Sequence, residues 1–150
     1  MSEEVSAARR REVRERAGKQ CEYCFMPDSE PLFPHEPDHI IALKHGGKTV
    51  SNNLAYACFE CNRAKGSDIA SLDPATGGLT PLYNPRTQQW TEHFRLNGPI
   101  IEPITPEGRV TVALLRLNQA ARVAIRDNLM REGRYPHPTR NGGNRQDKDG

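Results

Sequence analysis

Apolar positions in this chain are sparse and fall in short runs. AARRREVRERA at Ala7–Ala17 is built from good helix formers and ends at Gly18, which predicts a first helix with a glycine stop. A short stretch, Lys19–Cys24, follows. Four prolines between residues 25 and 37 predict a loop with extended pieces. Asp38-His39-Ile40-Ile41-Ala42-Leu43 reads as a strand ended by a turn at Gly46-Gly47, and Asn52–Ala57 reads as its return. Residues Asn62 through Ile69 then open a helix. Pro74 to Pro85 is loop-like, and Gln89–Leu96 with Pro99–Glu102 forms a second hairpin turning at Asn97-Gly98. Thr105-Pro106-Glu107 is a helix start, with a hydroxyl cap, proline at the first position and an acid. Val110, Leu114 and Leu117 recur at helical spacing, Asn118 breaks or caps, and Ala121, Ile125 and Leu129 repeat the spacing as far as Gly133. Pro136 to Gly150 is polar and reads as a disordered tail.

Composition narrows this picture. Only 35% of the 150 residues are apolar and 27% are charged, with a mean hydropathy of -0.76. Such a chain builds a thin core and calls for a metal or disulfide staple. No run approaches the ~18 apolar residues of a membrane helix, and the N-terminus has no apolar signal-peptide stretch. A cytoplasmic protein without a membrane partner is therefore expected. The net charge is +2, unevenly spread. Residues 21–104 carry six basic and ten acidic groups, whereas 109–134 carry six arginines against Asp127 and Glu132. Basic flanks around an acidic middle suit metal cations in the middle and a polyanion on the flanks.

All four cysteines fall in two pairs, Cys21-x-x-Cys24 and Cys58-x-x-Cys61. Without an export signal disulfides are a poor default. A redox C-x-x-C needs a βαβ context that this pattern lacks. Four thiolates close a tetrahedral Zn²⁺ shell, so a structural zinc site is predicted, pinning the N-terminal segment to the region near residue 60.

Polar residues cluster inside and beside the segment between the pairs. Asp38 precedes His39, Asn53 follows fourteen residues later, and Asn62 directly follows Cys61. Neighbours on a strand face opposite ways, so Asp38 and His39 do different jobs, one as metal ligand and one as base. A carboxylate oxygen from Asp38 and an amide oxygen from Asn62 suit Mg²⁺ or Mn²⁺. Imidazole is the side-chain type that ordinarily exchanges a proton near neutrality.

In order, these motifs read Cys21-Glu22-Tyr23-Cys24, Asp38-His39-Ile40, Gly46-Gly47, Asn52-Asn53-Leu54 and Cys58-Phe59-Glu60-Cys61-Asn62-Arg63-Ala64-Lys65. The set resembles the HNH endonuclease family, of ββα-metal fold, over residues 21 to about 69. The resemblance implies a metal-dependent endonuclease that hydrolyses DNA to 5′-phosphate and 3′-hydroxyl ends. In it His39 is the general base, Asn53 braces the hairpin loop and orients the base, and Asp38 and Asn62 hold one divalent metal. Asn62 stands where the family often has histidine, which puts the preferred metal in question. Ala42 stands where many relatives have proline. The segment from Tyr83-Asn84-Pro85-Arg86 through Trp90-x-x-His93-Phe94 to Gly108-Arg109 resembles an extension in a bacterial branch of the family.

The expected architecture is α+β. It has an N-terminal basic helix (1–20), a ββα-metal nuclease core stapled by the four-cysteine zinc site (21–70), a C-terminal hairpin and helical extension (71–134) and the tail (135–150). Lys44, His45, Arg63 and Lys65 are candidate phosphate contacts, against the plainer reading of solvated charge. Tyr56, Phe59 and Trp90 are assigned to the core. His35, His93 and His137 are assigned no chemistry. The competing functions are a catalytically idle zinc module that binds nucleic acid, and a nuclease directed at RNA.

Overall fold

Helix α1 (Ala7–Arg16) begins where Ser6 accepts a hydrogen bond from the Arg9 amide, and it ends at Ala17 and the left-handed Gly18. This is the predicted helix and its predicted stop. The computed structural model describes residues 4–29 and 34–136. Most of the predicted tail, His137 included, lies outside the described residues. Val13 and Ala17 are the buried side of α1 and pack with Leu54 and Tyr56. Its arginines clamp the neighbouring loop: Arg16 donates to the Ser51 and Leu54 carbonyls, and Arg9 to that of Thr49.

Strand β1 (His35–His39) pairs antiparallel with β2 (Leu54–Cys58), with Asp38 opposite Ala55 and His39 opposite Leu54. The hairpin is the expected one, but its first strand lies three residues earlier than the apolar run. Pairing with the fully buried β2 decides the register, and the chain leaves the strand after His39. Ile40 is buried, and Leu43–His45 forms a short 3-10 turn. Helix α2 (Phe59–Lys65) also starts early, at Phe59 rather than Asn62. Cys58 is its N-cap, its Sγ accepting from the Cys61 amide. The knuckle turn that gathers the thiols therefore starts the helix as well. Helix α2 packs on both strands and completes a ββα unit.

Two further hairpins follow. Strands β3 (Ala70–Leu72) and β4 (Leu79–Pro81) pair with Leu72 opposite Leu79, partly within the stretch expected to be loop. Asp73 organises the turn by accepting from the Ala75 amide and the Thr76 hydroxyl. Arg109 grips the same carboxylate with two hydrogen bonds of 2.9 and 2.8 Å. Strands β5 (Phe94–Asn97) and β6 (Ile100–Pro103) form the expected second hairpin. Its turn falls at Gly98-Pro99, one residue later than predicted, and a 3-10 turn at Trp90–Glu92 replaces the start of the first strand.

Helix α3 (Pro106–Leu114) starts as predicted, with Thr105 accepting from the Gly108 amide and proline at its first turn. A break with Arg116 in left-handed backbone separates it from α4 (Ala120–Arg131). Asn118 spans that break by exchanging two hydrogen bonds with the Ile101 backbone. The face of α4 departs from the predicted stripe. Ala121 is exposed, whereas Arg122 and Arg126 are buried beside Leu129.

The main core joins the cysteine knuckles to the C-terminal extension. Trp90 stacks between Phe25 and Phe94 and donates from Nε1 to the Tyr23 carbonyl at 3.0 Å. Arg86 pairs with the Glu22 carboxylate, whose other oxygen accepts from the Tyr56 amide. Tyr135, at the start of the expected tail, is instead buried and donates to the Cys24 carbonyl at 2.6 Å. Tyr56 and Trp90 are buried as expected; Phe59 is not. It is 45% exposed beneath the Arg63 guanidinium, because the first turn of α2 projects from the knuckle.

Candidate active site and metal centre

The two C-x-x-C turns bring their four thiols into one buried cluster, all Sγ atoms lying within 4.8 Å of one another. Cys24 and Cys58 Sγ are 3.7 Å apart. A tetrahedron with Zn–S bonds of about 2.3 Å has S···S edges of roughly 3.8 Å, so the donor set fits a tetrathiolate zinc ion. The surroundings suit anionic sulfur too. Backbone amides of Tyr23 and Cys61 point at Cys21 and Cys58 Sγ, and Arg122 Nη2 donates to Cys61 Sγ at 3.0 Å. The centre ties the first knuckle, directly after α1, to the junction of β2 and α2.

That junction places the acid–histidine pair. Asp38 lies next to the last residue of β1, where burial pushes its carboxyl up to about 6 against the pull of the nearby Lys65 ammonium. Its Oδ2 is buried, lacks a hydrogen-bond partner and stands 3.7 Å from Lys65 Nζ. That oxygen faces the Lys65 ammonium, and a carboxylate is the kind of hard donor that Mg²⁺ or Mn²⁺ takes. Asn62 is half-buried on α2, one turn before Lys65, and its amide makes no hydrogen bond among the described residues. Lys65 is the α2 side chain that reaches Asp38.

His39 is half-buried, and its Nε2 lies 2.8 Å from Thr49 Oγ1. Sequence reasoning misses Thr49. A lone threonine in a loop gives no signal until the fold sets it against the imidazole. Arg9 of α1 donates to the Thr49 carbonyl, so α1 supports the residue that holds His39.

Asn53 ties the loop between the strands into one piece. Its Oδ1 accepts from the Ile41 amide at 3.0 Å, and its Nδ2 donates to the Ile41 and Lys48 carbonyls, each at 2.9 Å. Gly47 is required beside it, since a Cβ there would come 1.7 Å from the Ile41 carbonyl oxygen. Asn53→Ala is expected to lower stability by about 0.5–1.5 kcal/mol, because three exposed backbone groups exchange an ordered side-chain partner for water. Asn53→Asp sets a carboxylate oxygen against the Ile41 and Lys48 carbonyls and should be at least as destabilising. Thermal denaturation of the two variants at one pH checks the order.

The candidate phosphate contacts divide. Lys44, His45 and Arg63 are exposed around the loop and on α2. Lys65 is 2% exposed, its ammonium donating to the His39 and Ile40 carbonyls. Those carbonyls and Asp38 occupy the cation, so it is turned away from an approaching phosphate. Of the six C-terminal arginines, Arg122 and Arg126 lie inside and depart from the expected polyanion surface; Arg109 holds Asp73, Arg131 pairs with Asp127, Arg134 pairs with Glu132, and Arg116 is exposed. His35 and His93, assigned no chemistry, meet the Met26 carbonyl and the Thr105 hydroxyl.

Residues 21–68 match the family model described as HNH endonuclease. No curated protein and no solved structure matches the chain. The matched segment runs from the first thiol of the metal centre to just past α2. It holds Asp38, His39, Asn53 and Asn62.

Proposed function

We propose that this chain, whose residues 21–68 match the HNH endonuclease family, hydrolyses DNA phosphodiester bonds with His39 as general base. The supporting observation is the setting of His39. It ends a strand, next to the Asp38 carboxylate, and one ring nitrogen is engaged by Thr49. When Nε2–H donates to the Thr49 hydroxyl, Nδ1 carries the lone pair and is the atom that takes a proton from water. Thr49 then fixes the tautomer and the ring plane, and Asn53 keeps the intervening loop from shifting either one. Asp38 and Asn62 would hold a single divalent cation, with Mg²⁺ or Mn²⁺ favoured by their oxygen donors. When bound, that cation neutralises the scissile phosphate and stabilises the leaving 3′-oxygen. Lys65 keeps Asp38 ionised and anchors the peptide between His39 and Ile40 to α2. Lys44, His45 and Arg63, all exposed, would meet phosphates along the DNA.

The products are 5′-phosphate and 3′-hydroxyl ends. Supercoiled plasmid incubated with the zinc-loaded protein is expected to be nicked with Mg²⁺ or Mn²⁺ and left intact in a chelating buffer. A folded protein that retards plasmid without nicking it under any metal would instead be a binding module. Cleavage of RNA alone would move the substrate class.

A further inference from the structure

Arg122 sits inside the protein, 5% exposed, in the first turn of α4. Its Nη2 donates to Cys61 Sγ at 3.0 Å and lies 4.0 Å from Cys58 Sγ. Its Nη1 donates to the Leu115 carbonyl at 2.6 Å and lies 3.2 Å from that of Arg116, at the break after α3. Among the described residues no carboxylate pairs with it. Burying a guanidinium costs less beside an anion, and the cysteine sulfurs are the groups within its reach that can carry one. Conversely, a zinc tetrathiolate carries a formal charge of −2 in a dry pocket. Arg126, one turn on, differs: it donates to the Pro99 carbonyl and Asn118 Oδ1, both neutral. Past the end of α4, Tyr135 fastens the chain to the other knuckle through the Cys24 carbonyl.

We infer that Arg122 is an outer-sphere hydrogen-bond donor to the zinc thiolates, and that through it the C-terminal helix and the metal centre hold each other in place. The inference rests on the four-cysteine site binding a metal and does not depend on the nuclease reading. Arg122 acts through the sulfurs as a positioning residue. It lowers the charge density on Cys61, slows metal loss and gives α4 its docking point. Outer-shell partners of this kind typically change metal affinity by about 10–100-fold.

The test uses the full chain. Wild type should carry one zinc per chain; a metal-free, folded wild type would remove the premise. Arg122→Met keeps the length and removes charge and donors, and Arg122→Lys keeps the charge with a poorer fit. Zinc transfer to a chromogenic chelator is expected to be at least about tenfold faster in Arg122→Met and intermediate in Arg122→Lys. In the Co²⁺-substituted proteins the sulfur-to-metal charge-transfer band should move to longer wavelength when the hydrogen bond is lost. A loosely packed helix alone would not produce that signature. If Arg122→Met does not fold, the band position in Arg122→Lys carries the test. Wild-type release rates and an unshifted band in the variants would overturn the assignment.

Discussion

Cys58→Ser is expected to lose the metal and, with it, the cooperative fold. Cys58 does three things at once. It supplies one of four clustered thiols, ends β2 and caps α2. Structural zinc in small domains contributes on the order of 10 kcal/mol to folding, as much as the ~5–15 kcal/mol that separates a typical domain from its unfolded state. The rest of this core is thin, with 35% apolar residues in the chain. Its largest cluster is built around the knuckles themselves, with Tyr23, Phe25 and Trp90 against Cys21 and Cys24. A serine hydroxyl at position 58 breaks the thiolate set and leaves the buried Arg122 cation with one fewer sulfur. Metal analysis and thermal denaturation followed by circular dichroism check this. Zinc content should fall from one per chain towards zero, and the melting transition should drop or vanish. Equal melting temperatures for variant and wild type would count against a structural tetrathiolate.

His39→Ala should have the opposite profile, with cleavage lost and the fold kept. The imidazole is half-buried and, among the described residues, makes one side-chain hydrogen bond, to Thr49. Its removal costs about 0.5–1.5 kcal/mol of stability. A positioned general base contributes typically about 10²–10⁴ in rate, so nicking should fall by at least about a hundredfold. Zinc content and DNA retardation should stay near wild type, because the four clustered thiols and the exposed Lys44, His45 and Arg63 are all retained. A variant that nicks plasmid at the normal rate would remove His39 from the reaction and sink the mechanism.

Taken together, the two variants separate the parts of the design. The thiol cluster sets whether the hairpin and α2 meet at all. In the proposed reaction the acid–histidine pair sets what the assembled face does. Asn53 and Thr49 lie between these roles. Asn53 braces the loop by three hydrogen bonds, and Thr49 orients one ring without contributing to the core. Variants of either should affect rate and stability in different proportion.

The ββα unit is legible in the chain because local signals agree with one another. Paired cysteines, a double glycine between two short runs and a helix-forming stretch after the second pair all indicate hairpin and helix around a metal. Boundaries are less legible. Helix α2 starts at Phe59 because Cys58 is held at the metal cluster and caps it, which helix propensity does not register. The β3–β4 hairpin escapes notice for a similar reason. Three residues per strand give little pattern, and its turn depends on Asp73 held by Arg109, thirty-six positions away.

Residue identity and spacing point to the proposed chemistry: four thiols in two knuckles, an acid beside a histidine, one asparagine at the end of the inter-strand loop and one on α2. Such groups announce themselves because few other arrangements use them at that spacing. Partnership among charges needed three dimensions. Arginines 122 and 126 look like solvated charge in a linear reading, yet they are buried against sulfur and carbonyl oxygen. Lys65 looks like a phosphate contact and is spent on Asp38 and two backbone carbonyls. The reason is physical. A long cationic side chain reaches about as far into the protein as out of it, and the direction depends on which anionic or carbonyl group the fold brings within about 3 Å. That choice is made by tertiary contacts alone.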